Sequence, residues 1–204
     1  KTTMARLMVR LHDPQKGVIT LGGADITKVP LRELRRSIGF VPQDVELVHG
    51  SIRENIALHD PRVDDATIRR AITSLGLDYW LASLPKGLDT VIADDGDRLS
   101  AGEAQLLAFT RVYLSNPPIV ILDEASSRLD PITERALDGA LTRLFAGRTG
   151  IIIAHRLSTL DRVDTIAVLE DGVLTEIGSA EKLADDSGSN LHRLLATDTG
   201  EVAE

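Results

Sequence analysis

The 204-residue chain contains no cysteine, and this absence excludes two kinds of chemistry. Disulfide bonds cannot form, and metal sites that depend on thiolate ligands cannot be built. A chain without cysteine is compatible with the cytosol, although it does not require that location.

Long apolar runs and a surplus of basic residues are also missing. No stretch is apolar over the roughly 20 residues that a membrane-spanning helix needs, so any membrane part must lie outside these residues. No signal peptide is visible at the start. The 23 Lys and Arg residues are outnumbered by 31 Asp and Glu, which gives a net charge of −8. We therefore expect no nucleic-acid partner, since such partners require a basic face.

The pattern of the chain is typical of an α/β protein. Short, fully apolar runs at Ile38–Val41, Ile119–Leu122 and Ile151–Ala154 alternate with helical patterns, which predicts a mainly parallel sheet covered by helices on both faces. Helical patterns fill residues 51–116 and interrupt this alternation. We therefore expect a core from residues 1–50 and 117–196, a helical subdomain at 51–116 and a flexible tail at 197–204.

The two ends of the core have further predicted elements. Residues 1–12 show helical spacing, and a short helix is predicted near Leu157–Leu160. The segments Thr165–Leu169 and Val173–Ile177 are predicted to form a hairpin across Asp171-Gly172. Residues 181–196 are predicted to be helical in two pieces.

Polar side chains follow all three apolar runs. Gln43 follows the first run, Asp123-Glu124 the second and His155 the third, while Lys1-Thr2 opens a helix. In an open parallel sheet, ligands bind at the carboxyl ends of the strands. We therefore expect these groups to converge at one edge. Each has an ordinary interpretation when taken singly, such as a surface lysine, an acidic loop or a structural histidine.

Two further segments have both a structural and a functional interpretation. Ser100-Ala-Gly-Glu103 is a capping box at a helix start, yet Gly102 costs about 1 kcal/mol relative to alanine inside a helix. A closely approaching anion would explain the glycine, because the serine hydroxyl, the glycine N–H and the helix dipole point the same way. Asp130-Pro131 reads as a simple helix cap.

The order of these motifs resembles that of the ABC ATPases over essentially the whole chain. They look like the end of Walker A, the Q-loop, the signature motif, Walker B, the D-loop and the H-loop: Lys1-Thr2-Thr3, Pro42-Gln43, Leu99–Glu103, Ile119–Glu124, Ser127–Asp130 and Ala154-His155-Arg156. In addition, Phe40–Gln43 and Val48–Ile56 resemble multidrug and lipid exporters with fused membrane domains.

This resemblance implies a P-loop NTPase (RecA-like) core with an α-helical subdomain, using ATP and Mg²⁺. It implies a head-to-tail dimer with a second ABC ATPase domain around two ATP molecules. It also implies a membrane domain fused upstream and a place at the cytoplasmic face of the cell membrane, where ATP hydrolysis drives export.

The same resemblance implies a role for each motif residue. The implied phosphate contacts within one domain are Lys1, Thr2 and Thr3, and the implied ligands of Mg²⁺ or its waters are Thr2, Gln43 and Asp123. Glu124 is implied as the general base, with Gln43 and His155 assisting at the γ-phosphate and the attacking water. Across the dimer, the implied contacts are Ser100 and Gly102 to the partner's γ-phosphate and Asp130 at the interface.

The sequence departs from the family pattern at three places. Ala101 and Glu103 stand where the signature is often Leu-Ser-Gly-Gly-Gln, and Thr90 lacks the acidic residue that follows it in some exporters. The chain also begins inside Walker A, so the glycine-rich turn and an adenine-stacking aromatic are not among these residues. We therefore expect the fragment itself to bind and hydrolyse ATP poorly.

Two alternatives remain open on the sequence. A non-transport ABC ATPase, serving chromosome maintenance or translation, would carry a long coiled coil or a second ATPase domain, whereas residues 51–116 form only a compact block. A catalytically silent regulatory subunit would usually lose the Walker B glutamate or the H-loop histidine, whereas Glu124 and His155 are both present.

Overall fold

The computed structural model describes residues 1–92, 99–123, 130–154 and 163–198. Contacts divide the chain into two compact units, one formed by Met4–Ile152 and the other by Lys1–Thr3 with Ile153–Glu204. Among the described helices, none combines the length and the apolar character that crossing a bilayer requires.

The N-terminal region is built from short elements. Helix α1 spans Thr2–Met8, the hairpin of β1 (Thr20–Leu21) and β2 (Ala24–Asp25) follows, and helix α2 spans Leu31–Ser37. Helix α1 is shorter than the predicted span of residues 1–12. Arg10 takes a left-handed φ of 53° and ends the helical path, and its guanidinium donates to the carbonyl oxygens of Ile26 and Val29.

The central sheet contains the three apolar runs predicted from the sequence. Strands β3 (Ile38–Val41), β6 (Ile119–Asp123) and β7 (Thr149–Ile153) lie in the order β3-β6-β7. Strands β3 and β6 are parallel neighbours and are largely buried. Burial on both faces explains why their sequences are continuous apolar runs rather than alternating ones.

The block at residues 51–116 is helical, as the sequence predicted, but it also contains a small ribbon. Its helices are α3 (Ile52–Ala57), α4 (Asp65–Leu75), α5 (Asp78–Ser83), a 3-10 turn (Gly87–Asp89) and α6 (Ala101–Ser115). The ribbon pairs β4 (Gly50–Ser51) with β5 (Val91–Ile92) in antiparallel fashion. Two-residue strands carry no readable periodicity, so this pairing could not be predicted from the sequence.

Helix α6 lies in the middle of the larger core. It packs against α3, α4, β3 and α7 (Pro131–Phe145). Most of its side chains are buried, so it shows apolar residues on nearly all sides rather than along one stripe. The helix that begins at Ser100 is therefore held by packing along its length.

The smaller unit contains the predicted hairpin. Strands β8 (Thr165–Glu170) and β9 (Val173–Ser179) pair antiparallel across Asp171-Gly172, both of which have positive φ. Helices α8 (Ala180–Asp185) and α9 (Asn190–Asp198) follow in the two pieces expected. Ile166, Val168 and Leu191 form the buried centre of this unit.

We expect Gly39→Ala to destabilise the larger unit by about 1–3 kcal/mol, as overpacking does in close-packed cores. A Cβ at Gly39 would lie 2.5 Å from Val112 Cγ1 and 2.7 Å from Pro117 Cγ, so β3 or α6 must shift. Urea denaturation followed by circular dichroism measures the change.

Gly139→Ala on α7 is the matched control. Its Cβ would come within 3.0 Å of one atom only, Arg143 Nη1 at the end of a flexible side chain. Alanine also favours the helix by up to about 1 kcal/mol. A Gly39→Ala variant as stable as the parent would show that β3 and α6 are not in close contact.

Candidate nucleotide site

The structure brings Gln43 and Asp123 to the same edge of the sheet. Strands β3 and β6 run parallel, with Val41 paired to Leu122, so Asp123 stands one residue beyond this pair. Gln43 follows β3 by two residues and is exposed. The parallel register therefore places the backbone of Gln43 and that of Asp123 at the carboxyl ends of neighbouring strands.

Asp123 is a buried carboxylate, with 1% of its surface exposed. Burying a carboxylate is costly unless it is paired, hydrogen-bonded or bound to a cation, so Asp123 requires polar surroundings at the end of β6. Carboxylate and amide oxygens are the ligand types that Mg²⁺ prefers.

The described residues also fit the way in which Mg²⁺ is normally held beside a nucleotide. Among residues 1–92, 99–123, 130–154 and 163–198, no group of three or more His, Asp or Glu side chains could enclose a metal. Mg²⁺ at phosphate-transfer sites is commonly held by one or two protein groups together with substrate phosphates. Asp123 and Gln43 supply that number of oxygen donors.

The three N-terminal residues predicted to contact phosphate lie at the start of α1. Lys1 is exposed and precedes the helix, Thr2 is its first residue and is half-buried, and Thr3 is exposed. The exposed Lys1 and Thr3 side chains lie at the beginning of a helix, where backbone N–H groups are not used by the helix itself.

Ser100 is the N-cap of helix α6, as predicted from its capping box. Its Oγ accepts from the Glu103 backbone N–H at 3.3 Å and donates to Glu103 Oε2 at 2.9 Å. The Glu103 carboxylate also accepts from the Ser100 backbone N–H at 2.9 Å, and Gly102 is buried. The Ser100 hydroxyl proton is thus engaged by Glu103, and it must turn away from this carboxylate to reach a phosphate.

Asp130 caps helix α7, which is the structural interpretation of the Asp130-Pro131 pair. Its Oδ1 accepts from the backbone N–H groups of Ile132 and Thr133, each at 3.0 Å. Hydrogen bonds from Thr133 hold the pKa of Asp130 below its usual range. The carboxylate is therefore ionised at neutral pH and exposed at the helix start.

Two of the predicted catalytic residues, Glu124 and His155, lie outside the described residues, as does the short helix expected near Leu157–Leu160. Described residues directly precede both of them in the sequence. Asp123, which precedes Glu124, ends β6, and Ala154 follows the last residue of the neighbouring β7.

Sequence reasoning missed a buried polar cluster that joins Asn55 on α3 to Arg111 on α6. Asn55 is fully buried between Ile52 and Ile56, which are buried too. An asparagine on the apolar face of a short helix is a signal that periodicity alone could have shown. A buried amide needs hydrogen-bond partners, and only the folded chain shows what they are.

Residues 1–127 match the family model described as "ABC transporter". The chain belongs to the ABC transporter family. An ATP-dependent lipid A-core flippase of Ralstonia nicotianae is 42% identical over 199 residues, which cover 95% of this chain and 34% of that protein. ABC transporter B family member 1 of Arabidopsis thaliana is 42% identical over 195 residues, or 96% of this chain and 15% of that protein.

A solved structure of a bacterial Atm1-family ABC exporter with ATP bound has the same fold. It superimposes with a TM-score of 0.87 at 39% identity, covering all of this chain and 36% of that chain. The match confirms the predicted α/β ABC ATPase fold. These relatives are named as a flippase, a transporter and an exporter, and none of these names describes a non-transport ABC ATPase. The chain spans about a third of the length of the bacterial relatives.

We expect the Asp130 cap of α7 in this ABC domain to be lost only below the ordinary pKa of an aspartate. Because the folded pKa of Asp130 is lowered, the cap stabilises the fold above the ordinary aspartate pKa of about 4 and is lost as the pH falls through the lower folded value. The amide chemical shifts of Ile132 and Thr133 should titrate together, with a midpoint below that ordinary value.

Asp130→Asn is the control, since asparagine caps a helix comparably but does not ionise. Both amides should then show no titration in this range. A midpoint at or above the ordinary aspartate value in the parent protein would contradict the cap geometry.

Proposed function

We propose that this ABC domain binds Mg-ATP, closes onto a second ATP-binding domain, and hydrolyses ATP to drive export through a membrane domain in the same protein. ATP binding and hydrolysis are the activities of its family, and exporters are among its relatives. The arrangement of side chains at the sheet edge supports the detailed roles given below.

The parallel register of β3 and β6 carries the proposal. It sets the buried Asp123 and the exposed Gln43 at one edge, where α/β sheets bind ligands. Asp123 and Gln43, together with Thr2, would hold Mg²⁺ or its waters. The ion would supply charge neutralisation at the β- and γ-phosphates.

Glu124 is proposed as the general base, because it directly follows the buried end of β6. A carboxylate there can accept a proton from a water that attacks the γ-phosphate. His155 would orient that water and the γ-phosphate from the neighbouring strand. Lys1 would place its ammonium on the β- and γ-phosphates, with Thr2 and Thr3 beside it.

The signature helix is proposed to serve the ATP of the partner domain. The Ser100 hydroxyl and Gly102 lie at the N-terminus of α6, a helix of 15 residues. The positive end of the helix dipole lies there too, and together these groups favour binding of an anion. Asp130, exposed at the start of α7, would lie at the dimer interface. The second domain would come either from a second copy of this protein or from a homologous chain.

The membrane domain is proposed to lie in the remaining part of the protein. The relatives named as a lipid A-core flippase and as an exporter are about three times the length of this chain, and their names describe movement of a cargo across a membrane. This ABC domain would then work at the cytoplasmic face of the membrane. The choice of cargo would belong to the membrane domain.

We expect Glu124→Gln in the full-length protein to lower ATP turnover by about 10²- to 10⁴-fold while ATP still binds, because glutamine keeps the shape but cannot accept the proton. With hydrolysis stalled, the two ATP-binding domains should accumulate in the closed state. Phosphate release measures the first effect, and crosslinking in Mg-ATP measures the second.

Asp123→Asn is the comparison for that experiment. It weakens a proposed ligand of Mg²⁺, so it should reduce nucleotide binding as well as turnover. Turnover at the parent rate in Glu124→Gln would mean that this residue is not the base, and that His155 or the phosphate itself activates the water.

Ser100→Ala and Ser51→Ala separate phosphate binding from helix capping. Both serines form the same capping box with a glutamate three residues later, so each alanine should cost about 1 kcal/mol of stability. Only Ser100→Ala should also weaken Mg-ATP-driven closure in the full-length protein, which crosslinking would measure. Equal closure in the two variants would remove Ser100 from the proposed site.

A further inference from the structure

Arg111 is a half-buried cation that the proposed catalytic residues do not use. It lies on α6, eleven residues after Ser100, which is about 16 Å along a helix axis. Burial lowers the pKa of its guanidinium, yet an arginine remains charged in proteins. Within the described part of the chain, Arg111 forms no salt bridge with a carboxylate.

The hydrogen bonds of Arg111 join three separate parts of the larger unit. Its Nε donates to the Asn55 carbonyl oxygen at 2.7 Å, its Nη2 to Asn55 Oδ1 at 3.2 Å, and its Nη1 to the Glu46 carbonyl oxygen at 3.0 Å. Helix α6 is thereby tied to helix α3 and to the irregular segment that follows Gln43. A planar guanidinium can hold such a fork of acceptors, whereas a lysine ammonium is a single point.

Asn55 extends this connection along the same segment. Its Oδ1 accepts from the Val48 backbone N–H at 2.9 Å, and its Nδ2 donates to the Val48 carbonyl oxygen at 2.8 Å. It also donates to the Ser51 carbonyl oxygen at 3.1 Å. The buried amide thus pairs with the Val48 backbone as a neighbouring strand would, although residues 44–49 form neither helix nor strand.

The cluster of Arg111 and Asn55 reduces the length of backbone around Gln43 that is not held by hydrogen bonds to the rest of the unit. Strand pairing holds the backbone before Gln43 at Val41, and the hydrogen bond from Arg111 holds it after Gln43 at Glu46. Val45 and Leu47 also pack against the apolar core. Without the polar cluster, the next regular backbone pairing after Val41 is at Gly50. The cluster therefore adds polar restraints to the apolar contacts that hold the segment after Gln43.

We propose that Arg111 and Asn55 are positioning residues that fix the Gln43 segment to the signature helix α6, so that both move as one body during the ATP cycle. This inference rests on the proposed function, in which Gln43 serves one ATP and Ser100 serves the ATP of the partner domain. The link gives each ABC domain a direct mechanical connection between its two nucleotide-facing elements.

The test uses Arg111→Lys in the full-length protein, with Arg148→Lys as the matched control. Like Arg111, Arg148 is half-buried and donates to uncharged oxygen atoms. Its Nη2 donates to Oδ1 of Asn116, the C-cap of α6, at 2.9 Å. Its other hydrogen bond goes to the Leu144 carbonyl oxygen, so within the described residues Arg148 does not bond to the Gln43 segment. Arg111→Lys should lower the kcat of ATP hydrolysis about tenfold and change KM for Mg-ATP by less than about threefold, because a small misplacement of a catalytic group reduces turnover strongly. Arg148→Lys should leave both near the parent values.

A second background separates positioning from general loss of structure. In Gln43→Ala, the amide that Arg111 positions is already gone, so adding Arg111→Lys should reduce kcat by less than about twofold further. A full tenfold further loss would overturn the inference, as would an equal loss in Arg148→Lys. If Gln43→Ala itself left hydrolysis unchanged, the proposed role of Gln43 would fail instead.

A third variant, together with hydrogen exchange, tests the inference even if Arg111→Lys folds poorly. Asn55→Asp keeps the shape and still pairs with Arg111, but it loses both donors to the Val48 and Ser51 carbonyl oxygens. It should lower kcat in the same way and accelerate hydrogen exchange in residues 44–50 about tenfold, while α4 exchanges as in the parent. Unchanged exchange in 44–50 together with unchanged kcat would overturn the inference.

Discussion

The parallel pairing of β3 with β6 is the constraint on which the site depends. Both strands are buried, so their backbone groups must pair with each other, and their apolar side chains fix the register. A shift of one residue would turn every side chain to the opposite face. The register that satisfies the core therefore also sets Asp123 at the end of β6 beside the turn that carries Gln43.

Helix α6 is the second structural support, and it connects stability with function. Its buried side chains hold it among α3, α4, α7 and β3, so the exposed Ser100 is presented by a rigid element. Gly39 allows β3 to approach α6 closely. A rigid helix can offer its N-terminus to a partner's phosphate and can also transmit a displacement along its axis, which a mobile loop cannot do.

The larger unit uses the same helix-capping arrangement in two places that have different roles. The boxes at Ser51 and Ser100 have the same hydrogen bonds, yet one begins a helix beside a small ribbon and the other begins the signature helix. Local chemistry alone does not distinguish these purposes. Only the order of the family's motifs distinguishes the two helix starts. It assigns an expected phosphate contact to Ser100 and no such contact to Ser51.

The sequence by itself determined the family, the three central strands, the hairpin across Asp171-Gly172 and the caps at Ser100 and Asp130, because these depend on local periodicity, turn chemistry and motif order. It did not reveal the early end of α1, the ribbon of β4 and β5, or the cluster of Arg111 with Asn55. Those features depend on contacts between residues that are distant along the chain. Arg111 and Glu46 are 65 positions apart, and only the packed core brings a guanidinium to a carbonyl oxygen across that separation.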